Sequence, residues 1–219
     1  MKFRHFPLFI GAFGLFFLSS CKKDKKVESE TSAVTTTTDG NLYIADLANS
    51  KIEWKGYKVF KSDNTSHIGT IALQSGQVTV KDGKLESGKF VANMGSLTSV
   101  DLKDDAENLA KLNGHLKSAD FFDVEKFPTA TYEITKISEA PSGSDYNTVL
   151  NGNLTIKGIT KPVEFNANVK IEGKNVLIAT QPKDIKREDF GVVFQVPAAN
   201  GIIKDEITLQ ILVNAKEKK

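Results

Sequence analysis

In Pro162–Glu172 the apolar residues Val163, Phe165, Ala167, Val169 and Ile171 alternate with Glu164, Asn166, Asn168, Lys170 and Glu172. Near the end of the chain Ile207, Leu209, Ile211 and Val213 are separated by Thr208, Gln210 and Leu212. A period of two puts every other side chain on one face of an extended chain, so each run predicts a strand with one buried face. Less regular versions occupy Lys51–Val59, Ile68–Leu73, Gln77–Val80, Lys84–Met94, Thr129–Ile137, Val149–Lys157 and Val176–Pro182. Turn chemistry separates them, as at Asp82-Gly83, Ser142-Gly143-Ser144 and Glu172-Gly173-Lys174. One segment departs from the rule. Asp104–Leu112 is acidic at its start and rich in helix formers, which predicts a short helix stopped at Asn113-Gly114. Leu116–Phe121 then adds another helical turn, and Pro128 opens the next strand. Eight or nine antiparallel strands without strand–helix alternation leave an all-β sandwich or a closed barrel. Closure removes sheet edges, and an eight-stranded barrel can hold one ligand among its inward side chains. A sandwich fills the same faces with core, and periodicity does not choose between the two.

Ahead of this domain lies a segment of a different kind. Lys2 and Arg4 precede an apolar run from Leu8 to Leu18, followed by Ser19-Ser20-Cys21. A basic start, a short apolar stretch and small residues before a cut site make residues 1–20 a secretory signal peptide. The run is well short of the roughly 20 residues of a spanning helix. The Leu-x-x-Cys ending resembles the bacterial lipobox, which makes Cys21 the acylated first residue of the mature chain. Residues 22–40, with four consecutive threonines and mixed charge, bury too little to offset ordering entropy and form a disordered tether. As a flexible coil it spans about 25 Å. The expected organisation is signal 1–20, acylated cysteine and tether 21–40, and a folded domain over 41–219.

The chain's 29 basic residues include Lys2 and Arg4 of the signal, so the mature part balances 27 against 27 acidic ones. Net charge therefore offers no argument for nucleic acid. With Cys21 the only cysteine, disulfides, thiolate zinc sites and a redox CxxC are excluded. The mature histidines are His67 and His115, without metal-ligand spacing, so neither a metal nor a cofactor is expected.

Three segments carry a family resemblance. Gly114-His115-Leu116-Lys117-Ser118-Ala119-Asp120-Phe121-Phe122-Asp123, followed by Lys126-Phe127-Pro128, resembles the HLKSxDFFDxxKFP signature of the YceI-like family. Asn151–Val163 is similar to its GxLTIxGxTxPV strand pair, and Arg187–Gly191 to its RxDFG element. They occur in the family's order, and the likeness covers roughly Asn41 to Ala215. It implies a lipocalin-like, extended eight-stranded antiparallel barrel around a long isoprenoid or similar amphiphile. It also implies a periplasmic or secreted binding protein whose ligands are polyprenyl chains, isoprenoid quinones or fatty amides, and it favours a homodimer. The lipid anchor departs from the simply cleaved signal of many members, and Ile52-Glu53-Trp54-Lys55-Gly56 looks like a branch of the family.

Inward alternation nominates Trp54, Phe90, Met94, Leu154, Ile156, Phe165, Phe190 and Phe194 as tunnel walls, the same set an ordinary core would use. Phe121, Phe122 and Phe127 either line the tunnel or pack the helical excursion, and the adjacent pair Phe121/Phe122 should point in different directions. His115 either meets a headgroup or fixes a turn. His67, at a strand start, suits a headgroup better than catalysis, since no triad pattern accompanies it. Arg187 either offers its fork of donors to a ligand oxygen or pairs with Asp189 or another carboxylate to fasten a strand end. Gly152, Gly158 and Gly191 serve turns or close strand approach. No nucleophile elbow, phosphate loop or paired carboxylates across a cleft are present, so an enzyme is not expected.

The reading is a membrane-anchored protein that sequesters or transports an isoprenoid-type lipid, held on the outer membrane and facing the periplasm, with the cell surface or secretion as the alternative location. The alternatives are an envelope interaction barrel with a filled core, and an esterase or isomerase using His67 or His115.

Overall fold

A computed structural model describes residues 39–61 and 63–218, so the expected signal peptide, Cys21 and nearly all of the tether lie outside the described residues. Eleven strands and one α-helix follow in order: β1 (Asn41–Ala45), β2 (Lys51–Phe60), β3 (Asp63–Lys81), β4 (Lys84–Asn93), β5 (Thr98–Ser99), α1 (Ala106–Lys117), β6 (Thr129–Glu139), β7 (Thr148–Ile156), β8 (Ile159–Glu172), β9 (Asn175–Thr180), β10 (Lys183–Lys186) and β11 (Ile202–Glu217). Every pairing is antiparallel.

The sheet closes into a lipocalin-like barrel because β11 pairs on one side with β2 and on the other with β9 and β10. β1 and β2 share one stave between β3 and β11, and β9 lies between β8 and β11. With β3, β4, β6, β7, β8 and β11 this makes eight staves, to which β5 adds against β3 and β10 against β11. The sandwich alternative is excluded, since no edge is left between β11 and its two neighbours.

Strand direction gives the barrel two unlike ends. At the closed end the turns are tight: Asp82 and Gly83, both at positive φ, join β3 to β4 as a two-residue hairpin turn. At the open end lie the β2–β3 tip, the excursion carrying α1, the Lys157–Gly158 turn and the long 187–201 connection. Alternation fills the closed half with Leu73, Val78, Ile134, Leu150, Val176, Ile178 and Val213, all buried. Each contributes about 1.5–3 kcal/mol through burial of its side chain.

Two expectations need correction. Ile68–Leu73 and Gln77–Val80 are parts of one 19-residue strand, β3, with a bulge between Leu73 and Ser75. The strand continues because Gly76 lets it press on its neighbours; a Cβ there would lie 2.9 Å from Ala45 Cβ and 3.1 Å from Phe90 Cδ1. The helix starts at Ala106 under an Asp105 cap and runs through Asn113-Gly114 to Lys117. Tertiary contacts override the glycine stop. Asn113 accepts from the Ser99 N–H at 2.9 Å and donates to Thr98 Oγ1 at 3.0 Å, which pins the helix beyond Leu112. The chain leaves the helix at Ser118, whose Oγ donates to the His115 carbonyl, and Phe121 lies in irregular turns.

Candidate ligand cavity

The open half of the barrel is hollow. A cavity of about 340 Å³ begins above the packed half and reaches the open end, within the roughly 300–1,000 Å³ usual for small-molecule sites. Its lower wall is apolar, formed by Ile52, Ile71, Phe90, Ala92, Ala130, Tyr132, Leu154, Phe165, Leu209 and Ile211. Polar side chains gather at the mouth: Lys58, Thr65, Ser66, His67, His115 and Lys204. Leu112, His115 and Leu116 of α1, with Phe121 and Phe122, border the cavity from above.

Eleven of the expected residues line this space: Trp54, His67, Phe90, Met94, His115, Phe121, Phe122, Leu154, Ile156, Phe165 and Arg187. Phe190 and Phe194 do not. The strand ends at Lys186, so the alternation that nominated them does not continue through the turn at Glu188–Phe190 and the loop beyond. Phe190 is buried in the core, while Phe194 backs the lid, its ring edge-on to His115 at 4.7 Å and 5.2 Å from Phe121. Phe121 and Phe122 both border the cavity, against the expectation of opposite directions, because they sit in a turn rather than a strand. Phe127 packs over the Lys157–Gly158 turn.

Trp54 fits inside because its cross-strand partner is Gly69. A Cβ on Gly69 would lie 2.4 Å from Trp54 Cζ2 and 2.1 Å from the Thr98 carbonyl oxygen, so any side chain there would eject the indole. Trp54 Nε1 is buried with no hydrogen-bond partner among the described residues. An unpaired indole N–H is costly to leave dry.

His67 has a partner that sequence reasoning missed. Its Nδ1 lies 2.8 Å from Asp101 Oδ2, and Asp101 Oδ1 accepts from the Ile68 N–H at 2.9 Å and from Ser99 Oγ at 2.7 Å. Partial burial works to raise the Asp101 pKa, but the bonds from Ser99, His67 and Ile68 outweigh it and hold the carboxyl at about 2. The serine donates to the carboxylate rather than to the imidazole. This order gives no activated nucleophile and instead fixes the histidine ring at the mouth. His115 lies edge-on to Phe121 at 4.9 Å, with Nε2 3.3 Å from Asp120 Oδ2, so it holds the lid's aromatic group together.

Arg187 touches the cavity but its donors are already committed. Nε donates to Lys204 O at 3.0 Å, one terminal nitrogen to Val192 O, and the other to Ile203 O and Glu188 Oε1, both at 3.3 Å. Burial lowers its pKa, while Glu188 and Asp205 work to raise it. These bonds clamp the irregular stretch of β11 between Ile203 and Ile207, so Arg187 fastens the strand end, with Glu188 rather than Asp189 as its carboxylate. Tyr132, also missed, donates to Leu150 O at 2.8 Å, and burial pushes its pKa up. Its place in the run Ala130, Tyr132, Ile134 was the available signal.

Among the described residues no group of three His, Cys, Asp or Glu side chains is placed to hold a metal ion, and no helix is long and apolar enough to cross a membrane.

Residues 43–215 match the profile of the YceI-like domain. The chain belongs to the YceI-like family. A UPF0312 protein of Pseudomonas putida is 34% identical over 139 residues, covering 60% of this chain and 67% of the relative. Among solved structures, BcnA of Burkholderia cenocepacia superposes with a TM-score of 0.60 at 27% identity, over 78% of this chain and 99% of BcnA. A polyisoprenoid-binding domain of Saccharophagus degradans, implicated in plant cell wall breakdown, has a TM-score of 0.54 at 12% identity, over 80% and 98% of the two chains. At that identity the likeness speaks for the fold.

The depressed Asp101 pKa makes this YceI-like protein's stability depend on acid. A carboxylate with a folded pKa near 2 contributes fully above its unfolded value of about 4 and loses that contribution as pH falls through about 2. Urea melts of wild type and Asp101→Asn should differ by roughly 1–2 kcal/mol at pH 6, a figure kept low by solvent screening. The gap should narrow steadily below about pH 4. A gap of constant size down to pH 2 would contradict the assignment.

Proposed function

We propose that this chain binds and carries an isoprenoid-type amphiphile, a polyprenyl chain or an isoprenoid quinone, with its tail in the cavity and its polar end at the mouth. The observation that carries the reading is a cavity walled mainly by apolar side chains, with Lys58, Thr65, Ser66, His67 and Lys204 at its mouth. Each methylene moved from water into such walls contributes about 0.8 kcal/mol, so the affinity is set by tail length until the packed half of the barrel stops further insertion. The polyisoprenoid binding of the Saccharophagus domain supports the same ligand class. The hollow upper half argues against the filled interaction barrel, and the Ser99–Asp101–His67 order argues against hydrolysis. In this reading the protein needs neither turnover nor a cofactor.

Cys21 completes the proposal. Acylated there, the barrel stays about one tether length from the envelope membrane and takes up or delivers its guest without a long path through water. Incorporation of labelled fatty acid that Cys21→Ser abolishes is the expected result, and equal labelling of the variant would remove the anchor from the account.

Trp54, the chain's only tryptophan, reports on occupancy. A prenyl quinone added to delipidated protein should quench its emission. Ala130→Phe, which places a ring where Ala130 now lines the cavity, should weaken that binding by about tenfold or more, a loss of at least about 1.4 kcal/mol, while the protein still melts cooperatively. Unchanged affinity in the variant would place the ligand elsewhere.

A further inference from the structure

At the open end of the barrel, beside the polar mouth of the cavity, lie apolar side chains that face water. Phe190–Ile203 is a run of fourteen residues without a charge, in a chain of which 26% is charged. Within it Val193 and Ile202 are 63% and 61% exposed, and Pro197, Ala198 and Ala199 are exposed beside them. Phe60, at the tip of the β2–β3 hairpin, is also exposed. Exposed apolar groups scattered singly need no explanation, but Ile202 pairs with Val59 beside Phe60, and Val193 belongs to the same uncharged loop.

The loop holds its shape. The Gln195 side chain bonds the Ile203 backbone in both directions, at 2.8 Å to the carbonyl and 3.0 Å from the N–H. Gly201, at φ 101°, lies so close to the hairpin that a Cβ would be 2.3 Å from Val59 O. Loop and hairpin tip are therefore one surface, with Val193, Ile202 and Phe60 on its outside. Lysines border it: Lys61 Nζ sits 5.4 Å from the centre of the Phe60 ring, and Lys58 and Lys204 stand at the cavity mouth. Of the nearby acids, Glu188 pairs with Arg187, Asp205 accepts the Glu188 N–H and Asp63 shares the hairpin tip, while Asp189 and Glu206 are exposed and distant in sequence from Phe60 and Lys61.

We propose that this apolar, lysine-edged rim docks the open end of the barrel onto a lipid surface bearing anionic headgroups. Protruding apolar side chains seat at the headgroup–acyl boundary, and lysines beside them are drawn to negative lipid. The mouth then faces the bilayer, so a tail passes between membrane and cavity without exposure to water. The inference rests on the cavity reading for its purpose but not for its geometry.

The test uses the full chain with vesicles of phosphatidylcholine containing about one quarter phosphatidylglycerol, carrying brominated acyl chains as quenchers. Val193→Trp emission should be quenched beyond the Trp54 background, whereas Lys84→Trp, at the opposite end of the barrel, should not. Lys61→Ala should weaken the effect by about fivefold, as should removal of the anionic lipid to a greater degree. Ile202→Ser should lose the quenching yet still take up a prenyl quinone from detergent micelles, which separates failure of docking from failure of ligand binding. Equal quenching at positions 193 and 84 would overturn the proposal. So would a Val193→Trp spectrum that changes with protein concentration alone, since that would assign the rim to a second copy of the chain.

Discussion

Everything in this protein depends on β11 finding partners on both sides. Its residues pair with β2 through Leu212 and with β9 from Leu212 onward, so one strand supplies the last two seams of the barrel. Closure satisfies the backbone hydrogen bonds of every stave and leaves an interior whose contents the alternation of side chains alone decides. Between Ile203 and Ile207 the register with β2 shifts, and there Arg187 bonds to Val192, Ile203 and Lys204. A buried guanidinium is stable only when its donors are used, and here they are. Clamp and cavity mouth are consequently the same place.

The two halves of the interior divide the labour of stability and binding. The closed half is packed as a protein core, with Ile178 and Val213 fully buried. The open half gives up that packing. Without a guest, the walls of a cavity of about 340 Å³ forgo the contacts that a packed core supplies. An apolar guest recovers many of them, so occupancy and stability are linked through the same walls. The lid follows the same economy: His115, Phe121 and Phe194 pack on one another rather than on a fixed core.

The strands and most of the cavity wall were legible because strands project side chains with a period of two, whereas the choice of a barrel over a sandwich came from the family resemblance. Trp54, Phe90, Leu154, Ile156 and Phe165 sit on strands, and each faces inward as alternation requires. Phe190 and Phe194 were misplaced for the converse reason, since a turn carries no such period. Phe121 and Phe122 both reach the cavity because the chain there is a turn following α1. Asp101 was not legible at all: it meets His67 across 34 residues of sequence, through a strand pairing between β3 and β5 that no local pattern encodes. Likewise the helix outruns Gly114 because Asn113 is held by Thr98 and Ser99, contacts that exist only once the barrel has formed. The family signatures carried the lipid-binding expectation; the half-hollow interior is what the structure adds to it.

The central claim is that the open half of the barrel is built around an apolar guest. Native mass spectrometry of the full chain, purified without added prenyl lipid, tests it most directly. The account predicts a non-covalent complex that releases one long-chain, isoprenoid-type molecule on activation, with a lower thermal midpoint once that molecule is stripped. A protein that flies only as the bare polypeptide, and melts at the same temperature before and after organic extraction, would contradict it.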